Sequence, residues 1–321
     1  MEKKSFLKRL TQSKMFVLLL LYIAVAAFYT IISKGQYLYW VNIRNILSSM
    51  VITAYLTCGA VFLMISGNID LSTAQVSTIS GILMAQFLMK GFPWPLAILA
   101  VLAGAALVGF INAVLINEVK FQPFVATMAV SYMVQGGMLL LSHGAAVEVS
   151  NKYIVWLGTY RIAGQFPVNI LFTFAIFTIY GVVLAKTKFG KKIYMVGGNP
   201  VAAKLSGINP KKVWYILFIN NAVLGSVAGM LQAARLRSGS ATGIAGGAFA
   251  GMTGAILGGV SFGGGSGGMG GAFVGLVLLN GFNSGLTLIG INPYWQTMAS
   301  GALLLIALTF DYFNTKRLMR R

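Results

Sequence analysis

Ten long apolar runs limit what this chain can fold into more than any other feature. A helix needs about 20 mostly apolar residues to cross a bilayer. Such segments lie at residues 15–32, 46–66, 71–89, 95–115, 123–142, 168–185, 213–234, 246–262, 269–288 and 294–313. Only 9% of the 321 residues are charged, against about 25% in a soluble domain, so the chain could not cover its own surface in water. We predict an all-α, polytopic membrane protein with about ten transmembrane helices in a single domain, residues 1–321.

Two of the ten segments are weaker than the others. Segment 71–89 carries hydroxyl and amide side chains and is too polar to face lipid, and segment 246–262 is rich in glycine. The C-terminal half has many glycines four residues apart, such as Gly281 and Gly285. Small residues one helical turn apart let helices approach closely in lipid. We predict glycine-rich helix packing in this half, and a further role in helix sliding during gating stays open.

The basic residues test the orientation, because cytoplasmic loops carry an excess of lysine and arginine. With a cytoplasmic N-terminus, 17 basic residues fall inside and seven outside. We predict an inner-membrane protein with both termini cytoplasmic, a tail at 1–14, a loop at 186–212 and a tail at 314–321. The net charge of +19 then reflects membrane topology and not nucleic-acid binding, since the basic residues lie between apolar runs.

The longest polar interruption is residues 186–212, called the basic loop below. It holds seven basic residues and no acid. At its centre Pro200 suits the first turn of a helix and Gly207 its end. We predict one short helix across the membrane surface, which is either part of a solvated cytoplasmic face or a contact surface for a partner.

Residues 143–167 fall on the opposite side in this topology. Their polar residues are interleaved with Tyr153, Trp156, Leu157 and Tyr160, and aromatic rings settle at membrane interfaces. We predict a short amphipathic piece, acting as an anchor that rests on the membrane or as a docking edge for an external partner.

Residues able to support catalysis are scarce. The five acids are Glu2, Asp70, Glu118, Glu148 and Asp311. All except Asp70 fall in tails, in loops or near the end of a span. His143 and Cys58 are each the only residue of their kind, so neither finds partners for a metal site. The phosphate-binding pattern GxxxxGK[ST] does not occur. We predict no catalytic, cofactor-binding or metal-binding residue, and hence no enzyme.

Asp70 needs a special position, because a charge at the centre of a span costs about 3 kcal/mol. We place it at a turn between the second and third spans. Ser72 and Gln75 have the spacing of a capping box for the helix that follows, and an acid near the start of a helix complements the helix dipole. A structural role at this turn and a role on a substrate path both stay open.

Polar residues within the spans are the remaining candidates to line a path. Amides in spans face the bundle interior, where they bond to other helices or line a cavity. Asn and Gln offer a donor and an acceptor together, which suits a neutral, hydroxylated solute better than an ion. With Asp70, the possible path residues are Ser72, Thr73, Gln75, Asn112, Gln135, Asn220, Asn221, Gln232, Asn280 and Asn283.

Four stretches resemble the permease subunits of ribose-type ABC importers, which serve pentoses, hexoses and related small solutes. They are Gly67–Ser72 (GNIDLS), Gly109–Asn112 continuing to Gln122–Thr127, Val196–Asn209 (VGGNPVAAKLSGIN) and Leu257–Gly265 (LGGVSFGGG). The third is the most specific. The resemblance runs over nearly the whole chain from about residue 40.

The resemblance implies a single permease domain of about ten spans in the lipid bilayer. Its partners would be cytoplasmic ABC ATPase subunits, an extracytoplasmic sugar-binding protein, and a second permease copy or a paralogue. Closure of the ATPase pair would push a coupling helix in the basic loop and switch the cavity from outward-facing to inward-facing. The implied coupling residues are Gly197, Gly198, Asn199, Pro200, Ala202, Ala203, Leu205 and Gly207.

One departure concerns residues 246–254. Members of this family commonly carry an acidic pair before the fourth stretch, whereas Gly246–Gly254 contains no acid. We hypothesise that the permease works as half of a heterodimer, which would fit this difference.

Two functions therefore compete. The first is import of a small, neutral, hydroxylated solute such as a pentose or hexose, delivered by an external binding protein and driven by a separate ATPase. The alternative is an ion-coupled secondary transporter of a small polar solute. It would need a buried acid or broken helices near the midplane, and Asp70 is the acid available.

Overall fold

The computed structural model describes residues 14–241 and 247–319, and these are mostly helical. Its α-helices are α1 Lys14–Ile32, α2 Trp40–Ile65, α3 Thr73–Met89, α4 Trp94–Asn117, α5 Pro123–Ser142, α6 Lys152–Thr159, α7 Val168–Lys186, α8 Lys188–Gly198, α9 Pro200–Leu205, α10 Pro210–Leu236, α11 Gly247–Leu257, α12 Met269–Leu288 and α13 Pro293–Met319. A 3-10 turn covers Gln36–Leu38. The predicted tails lie largely (1–14) or partly (314–321) outside the described residues, and so does Gly246.

Two short strand pairs join loops. Val147–Glu148 pairs antiparallel with Ser238–Gly239, and Arg161–Ile162 pairs antiparallel with Phe166–Pro167. The first pair ties the segment after α5 to the segment after α10, and the second closes a hairpin between α6 and α7.

Each of the ten predicted segments contains one helix, and within the described residues six of these helices are long and apolar enough to cross a membrane. The six are α2, α4, α5, α7, α10 and α12. The prediction of a helical, polytopic membrane protein is therefore confirmed, whereas the number of ten spans stays a prediction.

The two weaker segments differ from complete spans, as their sequences indicate. Helix α11 has 11 residues, about 16 Å at the usual rise, which is about half of a hydrocarbon core. Helix α3 begins only at Thr73, after the irregular segment Ser66–Ser72. Its hydroxyl residues Ser77, Thr78 and Ser80 are buried in the bundle, which confirms that this helix does not turn its polar side to lipid.

Helix ends follow from local residue chemistry. Pro123, Pro200 and Pro210 each occupy a first helical position, where the missing N–H leaves no intrahelical bond unmade. Gly207 follows α9 with φ +81°, a conformation that glycine adopts at little cost. It ends the helix where the sequence predicts.

The loops sort onto two faces of the bundle. On one face the Lys211 ammonium lies 2.6 Å from the Glu118 carboxylate, which joins the basic loop to the α4–α5 loop. The hydrogen bond from Lys211 lowers the pKa of Glu118. Both loops are predicted on the cytoplasmic side, and they do share a face.

Aromatic contacts define the opposite face. The rings of Trp40 and Phe166 lie 4.7 Å apart, and those of Trp94 and Tyr153 lie 6.1 Å apart. The amide N of Val149 donates to the carbonyl O of Arg237 at 2.9 Å. The starts of α2 and α4, the end of α10 and the segment around α6 therefore meet on one side.

Helices α2 and α10 form the buried centre, with most of their apolar surface inside the molecule. Glycines let α3 lie against α10 with backbones almost touching. A Cβ placed on Gly229 would lie 1.7 Å from the carbonyl O of Ser77, and one on Gly225 would lie 2.7 Å from Thr73 Cγ2.

Close backbone contacts at glycines also occur after α10. A Cβ on Gly258 would lie 2.4 Å from the Ala272 backbone, and one on Gly275 would lie 2.2 Å from the Gly254 carbonyl O. This confirms the predicted glycine-rich packing in the C-terminal half.

Gly229→Ala tests the backbone contact between α3 and α10. The added methyl group cannot fit beside the Ser77 carbonyl, so we expect a loss of about 1–3 kcal/mol in stability. The control is Gly104→Ala, since a Cβ on Gly104 of α4 meets nothing within 4 Å. Thermal unfolding in detergent should show a lower midpoint for Gly229→Ala alone, and equal midpoints would contradict this packing.

Candidate functional site

The carboxylate of Asp70 lies at the centre of a buried hydrogen-bond network. Asp70 is 6% exposed and belongs to the irregular segment between α2 and α3. Its Oδ1 accepts hydrogen bonds from the backbone N of Ser72 at 2.8 Å and from Ser72 Oγ at 2.6 Å. Its Oδ2 accepts from Asn221 Nδ2 of α10 at 3.0 Å. The predicted turn is thus present, but it lies inside the bundle.

Asn112 of α4 closes this network. Its Nδ2 donates to Ser72 Oγ at 2.8 Å and lies 3.4 Å from Asp70 Oδ1. Asn221 Nδ2 also donates to Thr73 Oγ1 at the start of α3. Five of the predicted path residues therefore form one cluster, called the Asp70 cluster below: Asp70, Ser72, Thr73, Asn112 and Asn221.

The electrostatic balance of the cluster rests on neutral donors. Among the described residues the one salt bridge is that of Lys211 with Glu118, and no lysine or arginine pairs with Asp70. Hydrogen bonds from N–H and O–H groups to a carboxylate are about twice as strong as neutral ones. The cluster consequently fixes the segment around Asp70 against both α4 and α10.

The predicted capping box is wrong. Ser72 is the residue before α3, but its side chain makes no capping hydrogen bond to that helix. The Ser72 hydroxyl donates to Asp70 Oδ1 and its oxygen accepts from Asn112 Nδ2, and the backbone of Ser72 is helical, not extended as in a capping residue. The side chain of Gln75 makes no hydrogen bond within the described residues.

Asn220 faces a different space from its neighbour Asn221. Tyr180 of α7 donates its hydroxyl hydrogen to Asn220 Oδ1. Both residues line a cavity of about 230 Å³. The other lining residues are Phe62, Val183, Phe189, Ile216 and Leu217.

The two asparagines of α12 lie elsewhere. Asn280 Nδ2 donates to Thr53 Oγ1 of α2 at 3.2 Å, and Asn283 Oδ1 accepts from Ser300 Oγ of α13 at 3.2 Å. The hydrogen bonds of these two asparagines join α12 to α2 and to α13. Gln135 and Gln232 lie on α5 and α10, also outside the Asp70 cluster.

Several buried amide oxygens near this region accept no hydrogen bond in the described structure. They are Oδ1 of Asn112 and of Asn221, while both polar atoms of Asn117 at the end of α4 also lack a partner. Buried polar atoms normally find partners. These atoms are enclosed in the bundle and are not open to a solute in this conformation.

The basic loop folds into two helices, where the sequence predicts one. Helix α8 starts at the Thr187 cap, whose side chain accepts a hydrogen bond from the backbone N of Gly190 at 3.1 Å. Its Ile193 and Val196 are buried while Lys191 and Lys192 point outward. The apolar residues of α8 have a helical spacing in the sequence. The glycines in the same segment obscure this pattern, because glycine disfavours a helix.

Helix α9 is the predicted short helix. The Asn199 side chain caps it by accepting from the backbone N of Val201 and of Ala202, both at 3.0 Å. Ala203 is 2% exposed and anchors the helix to the bundle. Val201 and Leu205, in contrast, are 68% and 86% exposed.

The eight predicted coupling residues thus divide by position. Gly198, Ala202 and Leu205 lie on the exposed side of the loop. Gly197 and Ala203 pack inward, and Asn199, Pro200 and Gly207 shape the ends of α9. Val201, which is not among the predicted coupling residues, is exposed beside Leu205.

The segment opposite the basic loop contains the predicted amphipathic piece. Asn151 caps α6 by accepting from the backbone N of Tyr153 at 3.1 Å. Ile154 and Gly158 are buried against the bundle, while Trp156 is half exposed and stacks on Tyr160 with ring centroids 4.7 Å apart. The predicted short amphipathic piece is therefore present as α6, and its role as an anchor or a docking edge stays a prediction.

Comparisons with known proteins point to one family. A family model described as "Branched-chain amino acid transport system / permease component" matches residues 42–308. The galactose/methyl galactoside import permease protein MglC of Escherichia coli is 30% identical over 99% of this chain and 98% of its own length. The xylose transport system permease protein XylH of Haemophilus influenzae is 28% identical over 95% of this chain and 98% of its own. The ribose import permease protein RbsC of Escherichia coli is 28% identical over 84% and 85%. No solved structure gave a match.

Asp70→Ala tests the network. It leaves the backbone N–H and the hydroxyl of Ser72 buried without their acceptor and removes one of the two acceptors of Asn221 Nδ2, which should cost about 2–5 kcal/mol of stability. Asp70→Asn keeps one acceptor oxygen and should cost less. Gln75→Ala is the control, because Gln75 lies outside the network. We expect the highest thermal midpoint for Gln75→Ala, a lower one for Asp70→Asn and the lowest for Asp70→Ala. A midpoint for Asp70→Ala equal to that of Gln75→Ala would refute the role of Asp70.

Proposed function

Since this chain belongs to the family of sugar ABC importer permeases, we propose that it translocates a small neutral sugar across the inner membrane. The protein is a multi-pass membrane transport subunit and not an enzyme. The solute is a pentose or hexose that an external binding protein delivers. ATP hydrolysis takes place on separate cytoplasmic ATPase subunits, and a second permease copy or paralogue completes the pathway.

The observation that carries this proposal is the exposed apolar pair on α9. Val201 and Leu205 are four residues apart, so their side chains lie on the same side of the helix. They are 68% and 86% exposed on a loop rich in lysine, where apolar side chains gain nothing from water. An exposed apolar patch with a polar rim is typical of a protein contact surface.

Helix α9 is held firmly enough to transmit a push. Ala203 anchors one side, Asn199 caps the start and Gly207 ends the helix. We assign contact with the ATPase to Gly198, Val201, Ala202 and Leu205. Of the remaining coupling residues, Asn199, Pro200, Ala203 and Gly207 keep α9 in position, whereas Gly197 packs the end of α8 against the carbonyl O of Ile65.

This assignment places the basic loop, both termini and the α4–α5 loop on the cytoplasmic side. It is supported by the excess of lysine and arginine on that face and by the contact of Lys211 with Glu118. The α6 segment then faces the external binding protein. The full count of ten spans belongs to the same proposal.

We assign the translocation path to the surroundings of α10. Asn220 and Asn221 are adjacent on this helix but face two spaces, the cavity beside Tyr180 and the Asp70 network. Aromatic rings and amides together match the apolar faces and the hydroxyl groups of a sugar. Asn280 and Asn283 extend the polar series along α12.

Reconstituted transport tests the function. The permease is placed in proteoliposomes with its ATPase and binding protein, and uptake of labelled galactose, xylose and ribose is measured. We expect uptake of at least one sugar that requires ATP on the ATPase side and survives ionophores. Uptake that continues without ATP under an ion gradient would contradict the proposal and favour an ion-coupled transporter.

Leu205→Asp tests the contact surface. A carboxylate buried against an apolar partner surface should cost about 2 kcal/mol or more, which weakens ATPase binding about 30-fold. Val119→Asp is the matched control, because it puts the same charge on an exposed aliphatic residue of the α4–α5 loop. Co-purification of the ATPase should fall for Leu205→Asp and persist for Val119→Asp. Equal retention by both variants would remove α9 as the docking site.

A further inference from the structure

Three segments meet beside the basic loop with almost no side chains between them. They are the end of α8 at Gly197 and Gly198, the segment that begins after α2 at Ser66, and the turn at Gly264–Gly267 between α11 and α12. We call the meeting point of Gly67, Gly197, Gly198, Gly264 and Gly265 the glycine joint.

The contacts in the glycine joint are between backbones. A Cβ on Gly197 would lie 1.7 Å from the carbonyl O of Ile65 and 2.9 Å from the backbone N of Gly265. A Cβ on Gly264 would lie 2.9 Å from the Gly197 carbonyl O and 3.0 Å from Gly67 Cα. No side chain could be added at Gly197 or Gly264 without moving one segment away from another.

Hydrogen bonds link the same segments. The backbone N of Gly265 donates to the carbonyl O of Ile65 at 2.8 Å. The Tyr194 hydroxyl of α8 donates to the carbonyl O of Gly267 at 2.7 Å. Trp214 Nε1 of α10 donates to the carbonyl O of Ser66 at 3.2 Å.

The glycine joint leads directly to the Asp70 network. Gly67 is followed after two residues by Asp70, whose carboxylate is bonded to Asn221 of α10 and lies near Asn112 of α4. One short segment therefore connects Gly197 to two long helices.

We infer that the glycine joint transmits the motion of the coupling helices α8 and α9 to the segment holding Asp70 and to the start of α12. This inference rests on the proposed function. Side chains can absorb a small shift by changing rotamer, whereas close-packed backbones pass it on. Gly67, Gly197, Gly264 and Gly265 are positioning residues for coupling, and Tyr194 holds the joint together.

The test measures solute imported per ATP hydrolysed by the complete reconstituted transporter. Gly197→Ala forces α8 away from Ile65. We expect it to keep the ATPase bound and hydrolysing, because the exposed side of α9 is unchanged, while the ratio falls at least tenfold. Gly263→Ala is the matched control, since a Cβ on this neighbouring glycine approaches only Ser261 Oγ, at 3.8 Å.

A second variant removes one hydrogen bond and leaves the backbone in place. Tyr194→Phe should lower the ratio of solute to ATP about fivefold, because the loss of one hydrogen bond weakens the closed joint by about that factor. Its control is Tyr132→Phe, at an exposed tyrosine of α5. If Gly197→Ala does not assemble, the Tyr194→Phe comparison decides alone.

The outcomes separate this inference from the proposed function. A wild-type complex without ATP-driven uptake would contradict the proposed function itself. Wild-type uptake with an unchanged ratio in Tyr194→Phe would overturn the glycine joint alone. ATPase activity that falls in step with uptake would also overturn it, because a joint that transmits motion should uncouple the two activities.

Discussion

The buried carboxylate of Asp70 is the constraint on which the rest of this structure depends. A charge inside a helical bundle costs several kcal/mol unless it is fully hydrogen-bonded. Here Ser72 and Asn221 supply donors, with Asn112 alongside. The carboxylate can be satisfied only where α3, α4 and α10 meet, so it fixes the register of these three helices. The glycine contacts between α3 and α10 then follow, since the helices must approach closely to bring Asn221 to Asp70.

The basic loop acts through this same arrangement in our account. Its helices expose two aliphatic side chains and pack their glycine end on the segment that leads to Asp70. Asn221 of α10 is bonded to the carboxylate of Asp70. The protein thus combines an exposed apolar surface, a close backbone contact and a polar interior in adjoining parts of the structure.

The sequence predicts the helical membrane fold, the position of Asp70 at a turn, and the ends of α9 at Pro200 and Gly207, because each depends on residues close in the chain. It does not predict the Asp70 network, since Asn112 and Asn221 are 42 and 151 residues away. The capping box at Ser72 is wrong because the Ser72 hydroxyl bonds to Asp70, two residues earlier, and to Asn112 of α4. The sequence does not single out Val201 as a contact residue, because its exposure depends on how Ala203 anchors α9.

Hydrogen–deuterium exchange of the complete transporter, with and without a non-hydrolysable ATP analogue, tests the central claim most directly. The account predicts that exchange changes together in three separate peptides: the coupling helices at residues 188–205, the Asp70 segment at 66–72 and the turn at 264–267. Changes confined to residues 188–205, with the other two segments unaltered, would show that the coupling helices move without the Asp70 segment and would contradict the account.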